Sequence, residues 1–329
     1  MSAAQLEARL PKEKTRIPLK DRLTKGNIKS FLGKLFLYVL LIEIAFIIIF
    51  PLLTKLSSSF MSMEDMFDRT VRYIPKLPTL ENFSTVLSSS LGTDYWRTMS
   101  RTLGLSVVVA ILQTMVCSIT GYGLAKLKSK LATVVFAIVI LTIMVPPQVI
   151  LLPLYMKFRY FDIFGLIGLF TGGSGINMMG TITPMIILSA TGYGFKNGLY
   201  IFIMRQFYKG IPEEIEEAAA IDGYGTIGTF FRIVLPMAVP MMITIFMFAF
   251  SWSWTDTFYS NIFFSSKFKV LAIAVFSMPV IYQVGGLAQY NGTLLLNTAV
   301  LVAILPLILI YIVAQRWIIA GIERSGLVG

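Results

Sequence analysis

The residues of this chain that could do chemistry are few, and their types narrow the choice at once. There is no histidine, and Cys117 is the only cysteine in 329 residues. Histidine-containing zinc sites, Ser-His-Asp triads and Cys-His pairs are therefore excluded, as is any intrachain disulfide. No Gly-rich sequence ending in Gly-Lys-Ser/Thr occurs, so the chain carries no P-loop with which to hydrolyse ATP. No catalytic residue, metal site or cofactor is expected, and what remains is one acidic stretch and a few polar and aromatic side chains set among apolar ones.

The acidic residues are concentrated in one stretch. Glu213, Glu214, Glu216 and Glu217 are followed by Ala218, Ala219 and Ala220, then by Asp222 and Gly223, and nine residues later by Ile233, Leu235 and Pro236. Pro212 suits the first turn of a helix, where its missing N–H is no loss, and the glutamates stand at the positive end of that helix's macrodipole. Alanines are strong helix formers, and Gly223 permits the left-handed residue that ends a helix. The acidic run alone fits any surface helix. A surface helix as such gives no reason for a glycine hinge and a Leu-Pro turn at the mouth of an apolar stretch.

The other notable groups are polar ones in or beside apolar stretches, where ionisable residues are costly and face a cavity or a partner. Glu43 and Lys196 stand well inside such stretches. Lys196, flanked by Gly192, Gly194, Asn197 and Gly198, either lines a pathway at a glycine-loosened kink or snorkels from a broken helix. Trp252, Trp254, Thr255 and Asp256 close another stretch. Aromatic rings stack on sugar C–H faces and Asp and Thr hydrogen-bond hydroxyls, although an interfacial aromatic belt uses the same tryptophans. Gln148 and Asn297 are further path candidates, whereas Cys117 reads as a small buried hydrophobe. Asn82-Phe83-Ser84 matches a glycosylation sequon.

The elements that must hold these residues are membrane helices. The chain is 56% hydrophobic, with a mean hydropathy of +0.77, too apolar for a soluble domain. Its net charge of +11 is spread through tails and short loops, so the lipid bilayer and not nucleic acid is the expected partner. A helix needs about 20 mostly apolar residues to cross the hydrocarbon core. Six stretches qualify: 35–53, 103–125, 131–152, 184–204, 237–254 and 294–313. The shorter pieces 161–170 and 270–284 read as re-entrant or interfacial. A polar segment precedes the first span and no small-residue cleavage pattern follows it, so that span is expected to stay attached.

Lys and Arg near the span ends set the orientation. The tail before the first span and the loop Lys126, Lys128, Lys130 are expected on the cytoplasmic side; six spans then bring the 205–236 loop and the C-terminus there too. Three regions follow: a basic tail (1–33), a first transmembrane helix with its outer loop (34–99), and a five-helix core (100–329).

The spacing Glu217-Ala218-Ala219, Gly223, Ile233-Val234-Leu235-Pro236 resembles the EAA loop of bacterial ABC-importer permeases, and from residue 35 onward the chain is similar to the smaller permease subunit of carbohydrate, maltose-type importers. Tyr73-Ile74-Pro75, Pro78-Thr79-Leu80-Glu81-Asn82-Phe83, Gly121-Tyr122-Gly123-Leu124-Ala125-Lys126, Met144-Val145-Pro146-Pro147 and Ala314-Gln315-Arg316-Trp317 carry that likeness. The family's closing lysine is missing from Gly326-Leu327-Val328-Gly329, and its Trp-Asn-Asp/Glu stands here as Trp254-Thr255-Asp256. The resemblance implies an all-α membrane fold of six helices with a cytoplasmic coupling helix. It further implies two separate ATPase subunits, a second permease subunit and an extracytoplasmic solute-binding protein as partners, and a sugar as the solute. An ion-coupled secondary transporter is the alternative, and a membrane scaffold a third class. Such carriers show internal repeats and carboxylate relays, neither of which is evident.

Overall fold

The computed structural model describes residues 25–88, 94–173, 175–264, 268–275 and 288–326. The basic tail up to residue 24, residues 276–284 of the expected interfacial piece and the closing Leu327-Val328-Gly329 lie outside the described residues. The described elements are helical, with one isolated antiparallel bridge between Phe161 and Ile176.

The chain divides into two units, residues 1–55 and 56–329. The first holds most of helix α1 (Lys25–Ser59), whose 35 residues rise about 52 Å at 1.5 Å each, well beyond the roughly 30 Å hydrocarbon core. Its apolar side chains, from Phe31 to Ile49, are exposed. Glu43 is exposed among them.

The second unit begins with a loop that the sequence motif organises. Buried Asp65, in the short helix α2 (Met63–Phe67), accepts from the backbone N–H of Lys76 at 3.3 Å and of Leu77 at 3.1 Å. Asn82, in helix α3 (Glu81–Leu87), donates through Nδ2 to the carbonyls of Ser59 and Met61, at 3.1 and 2.9 Å. That amide is buried and doubly engaged, so the sequon at Asn82 offers no glycosylation site.

The core is built on helix α4 (Tyr95–Lys126). Its buried face carries Thr102, Ser106, Val109, Gln113, Cys117 and Gly121, a recurrence of three to four residues in small and polar types. Inside a bilayer hydrophobicity does not drive helices together, so close approach and internal hydrogen bonds must do so. A Cβ on Gly121 would stand 2.6 Å from the Cβ of Met204, so that glycine sets the crossing with helix α9 (Asn197–Lys209). Ser118 Oγ and Tyr208 hydroxyl, 2.6 Å apart, join the same two helices. The hydroxyl of Thr102 donates to Thr98 O and accepts from the N–H of Leu271, each at 2.8 Å.

Two expected spans are interrupted. The stretch 131–152 forms helix α5 (Lys130–Met144), then turns, then helix α6 (Leu151–Arg159). Pro146 and Pro147 account for the break, because a residue before proline is pushed out of the α region and proline lacks the donor. The 15 residues of α5 rise only about 22 Å. The stretch 184–204 forms helix α8 (Thr183–Ala190) and then α9, separated by six residues. Gly192, at φ +82°, ends α8: the N–H of Tyr193 returns to Leu188 O at 2.9 Å, closing a Schellman turn. Of the lesser apolar pieces, 161–170 holds only the six-residue helix α7 (Leu166–Thr171). Among the described residues, four helical segments are long and apolar enough to cross a membrane: Ser30–Ser59, Tyr95–Lys126, Thr226–Thr255 and Gly292–Ile319. The last lies in helix α14 (Ala288–Gly326).

Candidate functional site: a docking helix and a polar cleft

The acidic stretch forms helix α10 (Glu213–Ile221), ended by a Schellman turn in which Gly223 N–H reaches Ala220 O at 3.0 Å and Tyr224 N–H reaches Ala219 O at 2.9 Å. Gly223 takes φ +86°, and open space surrounds the position of its missing Cβ. Its role in the fold is thus a backbone one. Short helix α11 (Thr226–Thr229) follows, then a π-helical segment (Phe230–Val234) that runs directly into helix α12 (Leu235–Thr255). Of the expected docking residues, Ala219 is buried, Ile233 and Leu235 are half-buried, and Glu217, Ala218, Asp222, Gly223 and Pro236 are exposed. Apolar Ile221 and Ile227 stand almost wholly free beside them, 87% and 75% exposed.

Ion pairs fix this helix to the end of α4. Lys126 Nζ lies 3.0 Å from Glu216 Oε1 and donates to Ile211 O at 3.3 Å. Lys128 Nζ lies 2.9 Å from Glu213 Oε1. The Lys126 pair is only 17% and 23% exposed, against 79% and 62% for the Lys128 pair, so the inner bridge is the less screened of the two. The hydrogen bond and charge of Lys128 hold the Glu213 carboxyl below the usual carboxylate range. Behind α10, Tyr122, Tyr208 and Phe230 cluster, with ring centroids 4.7 Å (Tyr122–Phe230) and 5.5 Å (Tyr122–Tyr208) apart. These rings come from α4, α9 and the π-helical segment.

A cleft of about 390 Å³, counting space open at its mouth, lies where α8 gives way to α9, against α4 and α12. Gln113, Ser189, Gly194, Trp252, Ser253 and Asp256 are among its lining residues. Asp256 caps helix α13 (Phe258–Phe263), accepting from the N–H groups of Tyr259 and Ser260 and from Ser260 Oγ at 2.8 to 3.2 Å. Lys196, at φ +66°, holds its ammonium 5.1 Å from the Trp252 ring centre and 5.2 Å from that of Phe195. Buried Asn197 opens α9 beside the cleft.

The remaining path candidates stand elsewhere. Trp254 is buried, stacks on Phe250 with centroids 5.6 Å apart and donates through Nε1 to Ala303 O at 3.0 Å, so its ring belongs to the α12–α14 seam. Thr255 is exposed and bonds Ser251 O at 2.9 Å. Gln148 is exposed in the turn after Pro147. Asn297 Nδ2 donates to Ser58 Oγ at 3.0 Å, at the foot of the outer loop. Sequence reasoning passed over Gln113 and Ser253 and the π-helical segment; the signal for Gln113 was a lone amide in the apolar run 103–125.

The described elements are helical, and several of them are long and apolar enough to cross a membrane, which makes this a multi-pass membrane protein. The model of the family "binding-protein-dependent transport system inner membrane component" matches residues 114–324, and the chain belongs to that family. It is similar to the arabinooligosaccharides transport system permease protein AraQ of Halalkalibacterium halodurans, 27% identical over 294 residues, 87% of this chain and 93% of that protein. It is also similar to the probable starch degradation products transport system permease protein AmyC of Thermoanaerobacterium thermosulfurigenes, 26% identical over 89% of this chain and 97% of that one. Among solved structures, a chain of a bacterial ABC transporter involved in the import of the acidic polysaccharide alginate shares the fold, with a TM-score of 0.70 at 19% identity over 88% of this chain and 98% of that chain. Family membership leaves the ion-coupled carrier without support.

Proposed function

We propose that the chain is the permease subunit of an ATP-driven importer of oligosaccharides or related sugars, and that helix α10 receives the stroke of a separate ATPase. In this reading two ATPase subunits act on the cytoplasmic side, a second permease subunit completes the pathway and an extracytoplasmic binding protein delivers the solute. Six spans, with α8 and α9 together as the fourth, put α10 and both chain ends in the cytoplasm. The similar proteins named for arabinooligosaccharide and starch-product transport favour a sugar as cargo.

The observation that carries the reading is α10 itself. A nine-residue helix with exposed Glu217 and Ile221 is clamped by Lys126–Glu216 to one membrane helix and joined through Phe230–Val234 to another. A push on its outer face reaches two spans at once. The test is retention of the ATPase subunits: Ile221→Asp places a charge where a partner's apolar groove would close, and is expected to strip those subunits from the membrane while the chain itself still inserts. Full retention together with wild-type uptake would remove the docking assignment.

A further inference from the structure

The cleft at the break between α8 and α9 holds more polar capacity than the fold uses. Gln113 is 3% exposed, and its Oε1 has no hydrogen-bonding partner among the described residues; the same is true of Ser253 Oγ on the opposite wall. Asn197, 1% exposed, has neither its Nδ2 nor its Oδ1 engaged. An unpaired buried amide or hydroxyl costs free energy comparable to a lost hydrogen bond, and such groups in a native fold call for a partner. Gly194 lies between the two amides: a Cβ there would collide with Gln113 Nε2 and stand 3.1 Å from Asn197 Oδ1. The absence of a side chain at residue 194 keeps the cradle open.

We propose that this cleft is a transient subsite for one neutral sugar ring of the passing solute, with Gln113 and Ser253 hydrogen-bonding its hydroxyls and Trp252 presenting an aromatic wall to its C–H face. This assignment rests on the sugar-import reading above. The chemistry favours a neutral polyol over an ion. Asp256 is the carboxylate of the lining, and its oxygens already cap α13, which leaves a cation poorly served. The neighbouring cation, Lys196, holds its ammonium over the Phe195 and Trp252 rings. What is unspent is amide and hydroxyl, the groups that match sugar hydroxyls, beside the apolar side chains of Val109 and Met185. The site draws on α4, the break, and α12, so α12, which continues from the docking loop, also supplies a cleft wall. A movement begun at α10 is thereby placed to open or close the subsite.

The experiment uses the complete complex, with its ATPase subunits, second permease and binding protein, in proteoliposomes. Wild type is first offered arabinotriose, maltotriose and raffinose, and the best-transported sugar becomes the probe. Gln113→Leu, which keeps the volume and removes the amide, is expected to slow uptake per assembled complex by about tenfold or more, as loss of a buried polar contact does. In parallel, Ser253→Cys in a Cys117→Ala background is labelled with a small thiol reagent. The binding protein loaded with the probe sugar is expected to slow that labelling during turnover. Wild-type uptake by Gln113→Leu, or slowed uptake without protection of Cys at 253, would overturn the subsite and leave the importer intact. If wild type takes up none of the three sugars, the sugar reading itself fails and the subsite falls with it.

Discussion

At Gly223 the backbone sits at φ +86° with nothing nearby to obstruct a side chain, so strain and not collision governs what the position accepts. An L-residue held left-handed costs about 1–2 kcal/mol, and asparagine is the common exception. Gly223→Asn is therefore expected to keep most solute uptake, while Gly223→Val unwinds the turn after α10 and loses it; equal uptake in the two would refute the backbone account. The two ion pairs make a second contrast. Lys126→Met breaks the partly buried bridge to Glu216 and is expected to cost about 1–3 kcal/mol of local order in α10, read as faster hydrogen exchange there. Lys128→Met touches an exposed pair and is expected to change exchange little. Because Lys128 depresses the Glu213 carboxyl, whatever that outer pair contributes is present above the ordinary carboxylate range and is lost as pH falls through the lowered value.

At the scale of elements, α12 is the part on which the account turns. It continues from a π-helical segment whose extra residue lets Phe230 and Val234 stay buried while Phe231 and Arg232 face out. Deleting Arg232 should convert the segment to α-helix and rotate α10 by about 100° relative to α12. The expected result is a chain that still inserts but no longer supports uptake; unchanged uptake would deny the segment any role. At the far end of α12, Trp254→Ala opens a cavity in the seam with α14 and is expected to lower the yield of folded protein by a destabilisation of about 3–5 kcal/mol, with Trp254→Phe much milder. Several elements were legible in the sequence: α4 from a long apolar run, α10 from its acids, alanines and terminal glycine, the outer loop from its Asn82 motif. The break at Pro146-Pro147 was not, since a hydropathy window averages over the residues that interrupt a helix, whereas the glycines around Lys196 already offered a broken helix as one of two readings. The cleft was half legible. Asp256, Lys196 and Asn197 announce themselves as polar groups near apolar runs, but which tryptophan faces the cleft depends on helix phase: Trp252 lines it and Trp254 turns into the seam.

At the scale of the whole molecule, charge placement predicts an orientation. In a Cys117→Ala background, a membrane-impermeant thiol reagent is expected to label Arg69→Cys in intact cells and Lys130→Cys only after permeabilisation. Labelling of residue 130 from outside would invert the topology and put α10 on the wrong face for an ATPase. The exposed apolar length of α1 and the outward α10 describe a subunit made to be completed by lipid and by other chains. We propose that α10 conveys ATP-driven motion to the spans. The direct measurement is ATP-dependent sugar uptake in vesicles carrying Gly223→Asp, scored alongside the ATPase subunits retained on the membrane. The account predicts uptake at background, because the change adds charge to the docking face. Wild-type uptake with wild-type retention in Gly223→Asp would contradict it.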